Sequence, residues 1–329
     1  MKSSSLMQQL QQIPFSIFLF RIRPDEEIIL NKFYGSTIRG GFGYAFKKAT
    51  CIFKNKSTCV DCILSGECAY SLLFESKIQN SNATLKTLDI PRPYILDIET
   101  YRKNIYNKND ILPLQLTLIG NSIKYLPYFF VSIQTLGETG FGYQRKNFTI
   151  ESVLQQYPEE KEIYNAEEGS LTKPDIGRVK EIGTEPTTKL TLKFITPTRI
   201  KYNGKFVSII EFHYLVRSLI HRITFLSEHW CDKKIEYHWN DLIKKSEDIR
   251  IEVCETRWVE FERYSTRQKT TMKLGGIVGE ITYKGNIDDF LPLIILGSYL
   301  HTGKNTTFGL GKYRIENLRR RDNVENIEM

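Results

Sequence analysis

The chain has 329 residues, of which 41% are hydrophobic and 26% are charged. These proportions are those of an ordinary globular protein, so they exclude extensive disorder, a collagen-like fibre and a coiled-coil rod, and the length suffices for two domains. Lysine and arginine number 46 against 38 aspartate and glutamate, which gives a formal charge of +8 and a pI near 9.0. This basic excess fits a polyanionic partner, either nucleic acid or an acidic membrane, and fits the ordinary surface of a soluble protein equally well.

The first predicted elements are a buried strand over residues 15–22 and a helix over residues 37–49. The apolar run at residues 15–20 is far shorter than the ~20 residues of a membrane span, and Arg21 and Arg23 follow it. It is also too short for a signal peptide, so we expect a cytoplasmic protein without membrane attachment. The helix contains Gly40, Gly41 and Gly43, which indicates that another backbone approaches it closely.

The next feature is a cluster of cysteines with the spacing Cys-x7-Cys-x2-Cys-x5-Cys. It comprises Cys51, Cys59, Cys62 and Cys68. In a reducing cytoplasm, clustered thiols are typical of metal sites rather than disulfides. Four thiolates can surround one zinc ion tetrahedrally, and an iron–sulfur cluster would accept the same ligands. The spacing therefore predicts a closed, structural metal knuckle, with ordinary thiols as the alternative.

The remaining elements predict two domains of mixed α+β structure. Alternating leucines indicate a strand over residues 113–119, and a polar stretch over residues 154–186 is interpreted as a linker. Residues 187–329 then show the order β-α-β-β-α-β of a ferredoxin-like domain. Its predicted elements are a strand at 190–194, a helix at 208–229, paired strands at 258–265 and 277–283 joined by a basic connection, a helix ending near residue 301, and a strand at 312–318. Residues 1–153 form the predicted N-terminal domain.

The end of the first half also resembles the end of the second. Residues 125–142 and 148–151 correspond to residues 290–311 and 313–316, with Pro127 and Pro292 separated by 165 positions and Phe141 and Phe308 by 167. A difference of two residues confined to a glycine loop is what related units with a variable loop would give. The two halves are therefore interpreted as an internal duplication.

The loop Gly303-Lys-Asn-Thr-Thr-Phe-Gly-Leu-Gly311 is the first candidate for chemistry. Consecutive backbone N–H groups, three glycines and a lysine suit the binding of phosphate, and the alternative is a tight turn between helix and strand. Basic residues flank the loop in sequence, with Arg267, Lys269 and Lys273 before it and Lys312 directly after it.

These motifs resemble the RAMP superfamily, and within it the CRISPR precursor-RNA-processing endoribonucleases. The matching segments are Glu262-Arg-Tyr-Ser-Thr-Arg-Gln-Lys, Gly275-Gly-Ile-Val-Gly279 and Leu300-His-Thr-Gly-Lys-Asn-Thr-Thr-Phe-Gly-Leu-Gly311, with Arg39-Gly-Gly-Phe-Gly43 and the four cysteines near the other end. The resemblance implies two tandem ferredoxin-like, RRM-like domains, the first carrying the four-cysteine knuckle. It also implies cleavage of repeat RNA without a catalytic metal, by attack of a ribose 2′-hydroxyl that leaves a cyclic phosphate and a 5′-hydroxyl. Repeat RNA and CRISPR effector-complex subunits are the partners it implies.

Members of this family often carry a catalytic histidine in the first helix, whereas all five histidines here lie in the second half. His301 is the best remaining candidate for a general acid, because it ends a helix directly before the loop; the alternative is a structural histidine. Lys304 and Tyr34 complete the predicted catalytic set. The predicted RNA contacts are Arg39, Lys47, Lys48, Arg267, Lys269, Lys273, Gly303, Lys304, Asn305, Thr306, Thr307, Gly309, Gly311 and Lys312. An inactive, RNA-binding RAMP subunit is the main competing interpretation, and a zinc-containing regulator is a third.

Overall fold

The structure is a computed structural model that describes residues 5–30, 35–53, 59, 61–75, 90–98, 103–141, 144–180, 186–265 and 270–317. The chain divides into two compact units. The N-terminal unit comprises residues 14–177 and 229–231, and the C-terminal unit comprises residues 1–13, 178–228 and 232–329. Within the described residues, no helix has both the length and the apolar character needed to cross a membrane.

The elements of the first half alternate between strands and helices. In chain order they are α1 (Leu6–Leu10), β1 (Phe15–Pro24), β2 (Ile28–Ile29), α2 (Gly35–Thr50), α3 (Ala69–Phe74), β3 (Tyr94–Ile98), β4 (Ile105–Tyr106), β5 (Leu112–Ile119), α4 (Leu126–Thr139), β6 (Phe148–Tyr157) and β7 (Lys161–Asn165). The predicted strands at 15–22 and 113–119 and the predicted helix at 37–49 therefore correspond to β1, β5 and α2.

The sheet of the N-terminal unit has the order β3-β5-β1-β6-β7, and all its neighbouring strands are antiparallel. Without the added edge strand β7, its four main strands follow the arrangement of a ferredoxin-like domain, with α2 after β1 and α4 after β5. One long strand, β1, lies at the centre because its side chains are buried along most of its length.

Aromatic side chains fill the space between the helices and the sheet of this unit. Phe42 on α2 lies 5.3 Å from Phe129 on α4 and 6.0 Å from Phe74 on α3, measured between ring centroids. The glycines of α2 permit this packing, because a Cβ on Gly41 would stand 2.8 Å from a methyl carbon of Leu136 and one on Gly43 would stand 3.3 Å from the ring of Phe74. The predicted close approach of another backbone is not found at these positions, because the neighbours of Gly41 and Gly43 are side chains and a Cβ on Gly40 would meet nothing within 4 Å.

The second half contains β8 (Lys189–Thr198), β9 (Lys201–Tyr202), β10 (Lys205–Phe206), α5 (Phe212–Trp230), α6 (Trp239–Ser246), β11 (Arg250–Val259), β12 (Glu262–Ser265), β13 (Thr270–Lys273), β14 (Gly276–Lys284), α7 (Leu291–Leu300) and β15 (Tyr313–Ile315). The sheet order β11-β14-β8-β15 is again that of a ferredoxin-like domain, and its strands are antiparallel. The α+β fold with two ferredoxin-like sheets is therefore confirmed.

The core of the C-terminal unit lies between this sheet and the helices α5 and α7. Leu190, Leu192 and Phe194 alternate along β8 and are at most 1% exposed, as the period of two predicted. Two buried tyrosines connect the layers through their hydroxyl groups. Tyr283 donates to the carbonyl of Ile210, and Tyr313 donates to the carbonyl of Ile294, each at 2.7 Å.

The predicted domain boundaries differ from the observed units. The predicted linker at 154–186 contains the end of β6 and all of β7, which belong to the first sheet. Its polar composition was misleading, because an edge strand with one solvent-facing side needs few apolar residues. The predicted N-terminal domain at 1–153 is therefore too short at its end, and residues 1–13 belong to the C-terminal unit instead, which is not confined to residues 187–329.

The predicted strand pairing around the basic connection was also wrong in part. The partner of β14 is β11, which ends at Val259, whereas residues 262–265 pair with residues 270–273 in a separate hairpin. Most side chains of β11 are exposed, including the apolar Val253 and Trp258, so its sequence does not show the alternation of a half-buried strand. The two proposed repeats share their order of elements, since α4 precedes β6 and α7 precedes β15, and both helices carry proline in the first turn.

Candidate nucleic-acid interface

The glycine loop connects α7 to β15 and is fixed by hydrogen bonds at both ends. The N–H of Thr302 donates to the carbonyl of Gly311 at 3.0 Å, which closes the loop on itself. The Oγ of Ser218 on α5 accepts the N–H of Gly303 at 3.1 Å and lies 2.9 Å from the Oγ1 of Thr302. The N–H of Lys304 donates to the carbonyl of Arg199 at 2.9 Å. Helix α5 and the end of β8 thus hold the loop in one position.

Glycine is required where the loop returns to its starting point. Gly311 has a φ of +77°, which L side chains rarely adopt. An added Cβ there would overlap the carbonyl oxygen of Thr302 and stand 2.9 Å from the carbonyl carbon and 3.0 Å from the nitrogen of that residue. Gly303 and Gly309 have φ values of +77° and +76°. The three glycines therefore permit the turn itself.

The backbone N–H groups of the loop are used differently from the sequence prediction. Consecutive N–H groups were expected to face a phosphate, but those of Gly303, Lys304, Gly309, Gly311 and Lys312 donate to protein oxygens. Their role is to hold the loop together. The segment 305–307 differs, because Asn305 is left-handed (φ 63°, ψ 30°) and the 3₁₀ turn Thr306–Phe308 follows it. A left-handed residue followed by right-handed ones aims successive N–H groups at a common point, which is typical of anion binding.

The side chains of the loop place one cation at its surface. Lys304 is exposed, Asn305 and Thr307 are half-buried, and Thr306 is buried with 5% of its surface exposed. Lys312 is half-buried, and its backbone continues the ladder with β8 through the N–H of Ile195 at 2.9 Å. Phosphate contacts from this loop would therefore come from Lys304 and the polar groups of residues 305–307.

His301 is buried, with 2% of its surface exposed. Its Nδ1 lies 3.2 Å from the carbonyl oxygen of Leu310, on the far side of the loop. This position matches the structural alternative, in which the ring closes the end of α7 onto the loop. A general acid must reach the leaving oxygen of the substrate, and a ring that is buried and in contact with the loop backbone does not offer that access in this conformation.

The other predicted site residues are distributed over both units. Lys273 is exposed at the end of β13, and its carbonyl accepts a hydrogen bond from Nη1 of Arg199 at 2.9 Å. The predicted contacts Arg267 and Lys269 and the predicted catalytic residue Tyr34 lie outside the described residues.

In the N-terminal unit, Arg39 turns inward. Its guanidinium carbon lies 4.5 Å from the ring centre of Phe74 and its Nε is buried, so at least part of its role is in packing. Lys47, in the last turn of α2, lies 5.6 Å from the ring of Tyr70, whereas Lys48 is exposed. Of these three cations, Lys48 is the one most available to a polyanion.

The solvent-facing side of the C-terminal sheet is lined by ion pairs. Lys193 binds Glu280 at 2.5 Å, and Glu252 binds both Lys189 at 2.5 Å and Lys284 at 3.3 Å. RRM-type recognition places aromatic side chains on this face, where bases stack. Lysines already paired with carboxylates are poor phosphate ligands. The fold is thus RRM-like, but this face does not have the character of an RRM binding surface.

Sequence reasoning missed the residues that surround the loop. Arg199 contacts three segments: its carbonyl accepts from Lys304, its Nη1 donates to Lys273, and its guanidinium carbon lies 4.1 Å from the ring centre of Phe206. Phe206 belongs to the hairpin of β9 and β10. The dipeptide Asn203–Gly204 at its turn, with φ values of 48° and 80°, is a strong hairpin signal that could have revealed it. No pattern in the sequence marks Ser218 as a loop ligand.

The four clustered cysteines lie between α2 and α3, and all are half-buried. Burial raises the pKa of the Cys59 thiol, and the nearby Glu75, Cys68 and Cys51 raise it further against the effect of Lys47. The donor chemistry suits zinc, and Cys59 lies within electrostatic range of both Cys51 and Cys68. Among the described residues, however, no three histidine, cysteine or acidic side chains converge as metal ligands. The four-cysteine metal site therefore stays a prediction.

Comparisons with known proteins match two segments of the chain to two different family models. Residues 13–176 match a family model described as an N-terminal domain, and residues 192–313 match the model of the CRISPR-associated endoribonuclease Cas6. An uncharacterized protein of Archaeoglobus fulgidus is 24% identical over 293 residues, which cover 87% of this chain and 92% of that protein.

Solved Cas6 structures share the fold. A Cas6 product complex has a TM-score of 0.55 and 14% identity, covering 92% of this chain and 98% of the other. A partial Cas6-RT-Cas1–Cas2 complex has a TM-score of 0.57 and 13% identity, covering 96% of this chain and 48% of the other. The sequence match includes the glycine loop, and the structural likeness extends over both ferredoxin-like sheets. Residues 192–313 therefore match the Cas6 endoribonuclease family by sequence, and the chain as a whole has the fold of solved Cas6 structures.

Proposed function

We propose that this chain is an endoribonuclease that cleaves CRISPR precursor RNA within its repeats to give mature guide RNAs. The observation that carries the proposal is the glycine loop, which lies inside the segment matched to Cas6 and is held rigidly by Ser218 and Arg199 with Lys304 exposed at its surface. A rigid loop beside an exposed cation suits the positioning of a phosphodiester.

The proposed reaction requires no metal. The ribose 2′-oxygen attacks the adjacent phosphorus while its proton passes to a base, the bond from phosphorus to the 5′-oxygen breaks, and that oxygen takes up a proton. The products are a 2′,3′-cyclic phosphate and a 5′-hydroxyl, with no water consumed. Negative charge accumulates on the non-bridging oxygens of the pentacoordinate phosphorus, so a fixed cation lowers the barrier most at this point.

In this proposal Lys304 and the N–H groups of residues 305–307 stabilise that charge. His301, which supports the loop from its buried side, acts on the position of the loop. Tyr34 remains a proposed member of the catalytic set. Catalysis then depends mainly on orienting the 2′-oxygen in line with the leaving oxygen, which alone contributes a large part of the rate in reactions of this type.

The second candidate function is an RNA-binding RAMP subunit without nuclease activity. The burial of His301 favours it, because α2, the first helix of the N-terminal ferredoxin-like domain, carries no histidine and the best substitute is enclosed. Both candidates bind repeat RNA. Since similar structures are described as a Cas6 product complex and a Cas6-RT-Cas1–Cas2 complex, we propose repeat RNA and other CRISPR proteins as partners in either case.

One assay separates the two functions. The purified chain is incubated with end-labelled repeat RNA in excess EDTA, and the product ends are identified by mass spectrometry. A single cut that resists EDTA and carries a cyclic phosphate supports the nuclease. A 2′-deoxy substitution at the nucleotide whose 2′-oxygen attacks must abolish this cut, while the same substitution one nucleotide away serves as the control. Binding without cleavage would leave the inactive subunit, and no binding would refute both functions.

A further inference from the structure

The hairpin of β9 and β10 presents an aromatic ring that the proposed chemistry does not use. Phe206 is 39% exposed, although phenylalanine is among the residue types most often buried. Phe206 is the last residue of β10, and its backbone pairs with that of Lys201 across the hairpin. It is therefore held by a short, regular element and not by an irregular tail.

Two cations lie against this ring. The guanidinium carbon of Arg199 is 4.1 Å from its centre, and the Nζ of Lys201 is 5.0 Å from it. Lys205, next to the ring in sequence, is exposed, and residues 199–206 contain no acidic side chain. An exposed aromatic ring among cations is the combination by which proteins hold single-stranded nucleic acid, since the ring stacks on a base while the cations contact the adjoining phosphates.

Arg199 fixes the ring relative to the glycine loop. The Nη1 of Arg199 donates a hydrogen bond to the carbonyl of Lys273 at 2.9 Å. This bond restricts rotation of the guanidinium group, which therefore keeps one face against the ring of Phe206. The carbonyl of Arg199 accepts the N–H of Lys304 at 2.9 Å. One residue thus connects the ring with the loop proposed to hold the reacting phosphate. Burial also lowers the pKa of Arg199, as expected for a guanidinium that is partly withdrawn from water into a packed position.

We propose that Phe206, supported by Arg199 and Lys201, is a stacking subsite for one unpaired nucleobase of the RNA, close along the strand to the phosphate held at the glycine loop. The inference rests on the proposed binding of repeat RNA and adds a specific contact to it. The base must be unpaired, because a base inside an RNA duplex has both faces covered by its neighbours. The subsite accepts any base by its π face and so sets the register of the RNA more than its sequence.

The test uses repeat RNAs in which 2-aminopurine replaces one unpaired nucleotide at a time. Stacking quenches its fluorescence, so the wild-type chain should quench the probe strongly at one position or two adjacent positions. Phe206→Leu should abolish that quenching and raise the Kd for the RNA by about 5- to 100-fold, the usual range for one stacked base. Phe206→Trp keeps an aromatic face and should retain both properties.

Tyr128 provides the matched control, because it is 47% exposed and belongs to α4 of the N-terminal unit. Tyr128→Leu should leave the quenching and the Kd at wild-type values. If the wild-type chain binds repeat RNA and Phe206→Leu changes neither the quenching nor the Kd, the stacking subsite is refuted and the proposed function stands. If the wild-type chain does not bind repeat RNA, the proposed function itself fails.

Discussion

Gly311, where the glycine loop closes onto Thr302, is the position at which substitution best tests whether the closed loop forms the site. Substitution of Gly311 by alanine forces an L residue into a left-handed conformation, at a cost of about 1–2 kcal/mol. The new Cβ must also move away from the carbonyl of Thr302, which breaks the bond of 3.0 Å between the N–H of Thr302 and the carbonyl of Gly311. That bond contributes about 1 kcal/mol. The free energy of unfolding should therefore fall by about 2–3 kcal/mol.

Gly169 is a matched control for this substitution. Its φ of +68° is similarly left-handed, but an added Cβ there would meet nothing within 4 Å. Gly169→Ala should consequently lose only the backbone contribution of about 1–2 kcal/mol. The two variants are compared by urea unfolding and by the Kd for repeat RNA, which should rise for Gly311→Ala and stay unchanged for Gly169→Ala. Equal destabilisation of the two variants, or unchanged RNA affinity in Gly311→Ala, would refute the argument that the closed loop forms the site.

Three further predictions concern charge, protonation and metal. Lys304→Ala should weaken RNA binding and reduce the slope of log binding constant against log salt concentration by about 0.7–0.9, the value for one phosphate contact. Lys108 is an exposed lysine of the N-terminal unit, and Lys108→Ala should change neither quantity. Burial lowers the pKa of His213 below its ordinary value, so the unfolded chain binds more protons and stability should fall as the pH drops through about 6.5. His213→Gln should flatten this dependence in unfolding measured at successive pH values. Elemental analysis should find one zinc ion per chain, or iron if a cluster is bound, and Cys62→Ser should reduce that content; a metal-free, stably folded chain would contradict the four-cysteine prediction.

The fold followed from the sequence where one physical signal dominated. The central strand β1 is mostly apolar over residues 15–22, and α5 repeats its apolar residues every three or four positions, so the pattern of apolar residues indicated both. The edge strands β7 and β11 were missed or misplaced because one hydrogen-bonded neighbour stabilises each of them while many of their side chains remain in water. Local composition carries little information about pairing of this kind.

The candidate site was predictable only in part for a similar reason. The glycine loop was located correctly, because its glycines are required by the turn that the chain makes there. The use of its N–H groups depends instead on acceptors more than eighty positions away, such as Ser218 and Arg199. The burial of His301 likewise depends on how the loop folds back to Leu310. Long-range partners of single polar groups leave no periodic signal in a sequence.

The place of α1 in the C-terminal unit has a consequence for the order in which the protein is made. Gln9 exchanges two hydrogen bonds with the backbone of Glu236, at 2.6 Å and 2.8 Å, and α1 contacts α7. A ribosome adding about 5–20 residues per second needs roughly 15–60 s to travel from α1 to the end of α7. Helix α1 can therefore form its contacts with α7 only after the intervening residues have been synthesised, so this part of the C-terminal unit assembles late relative to α1.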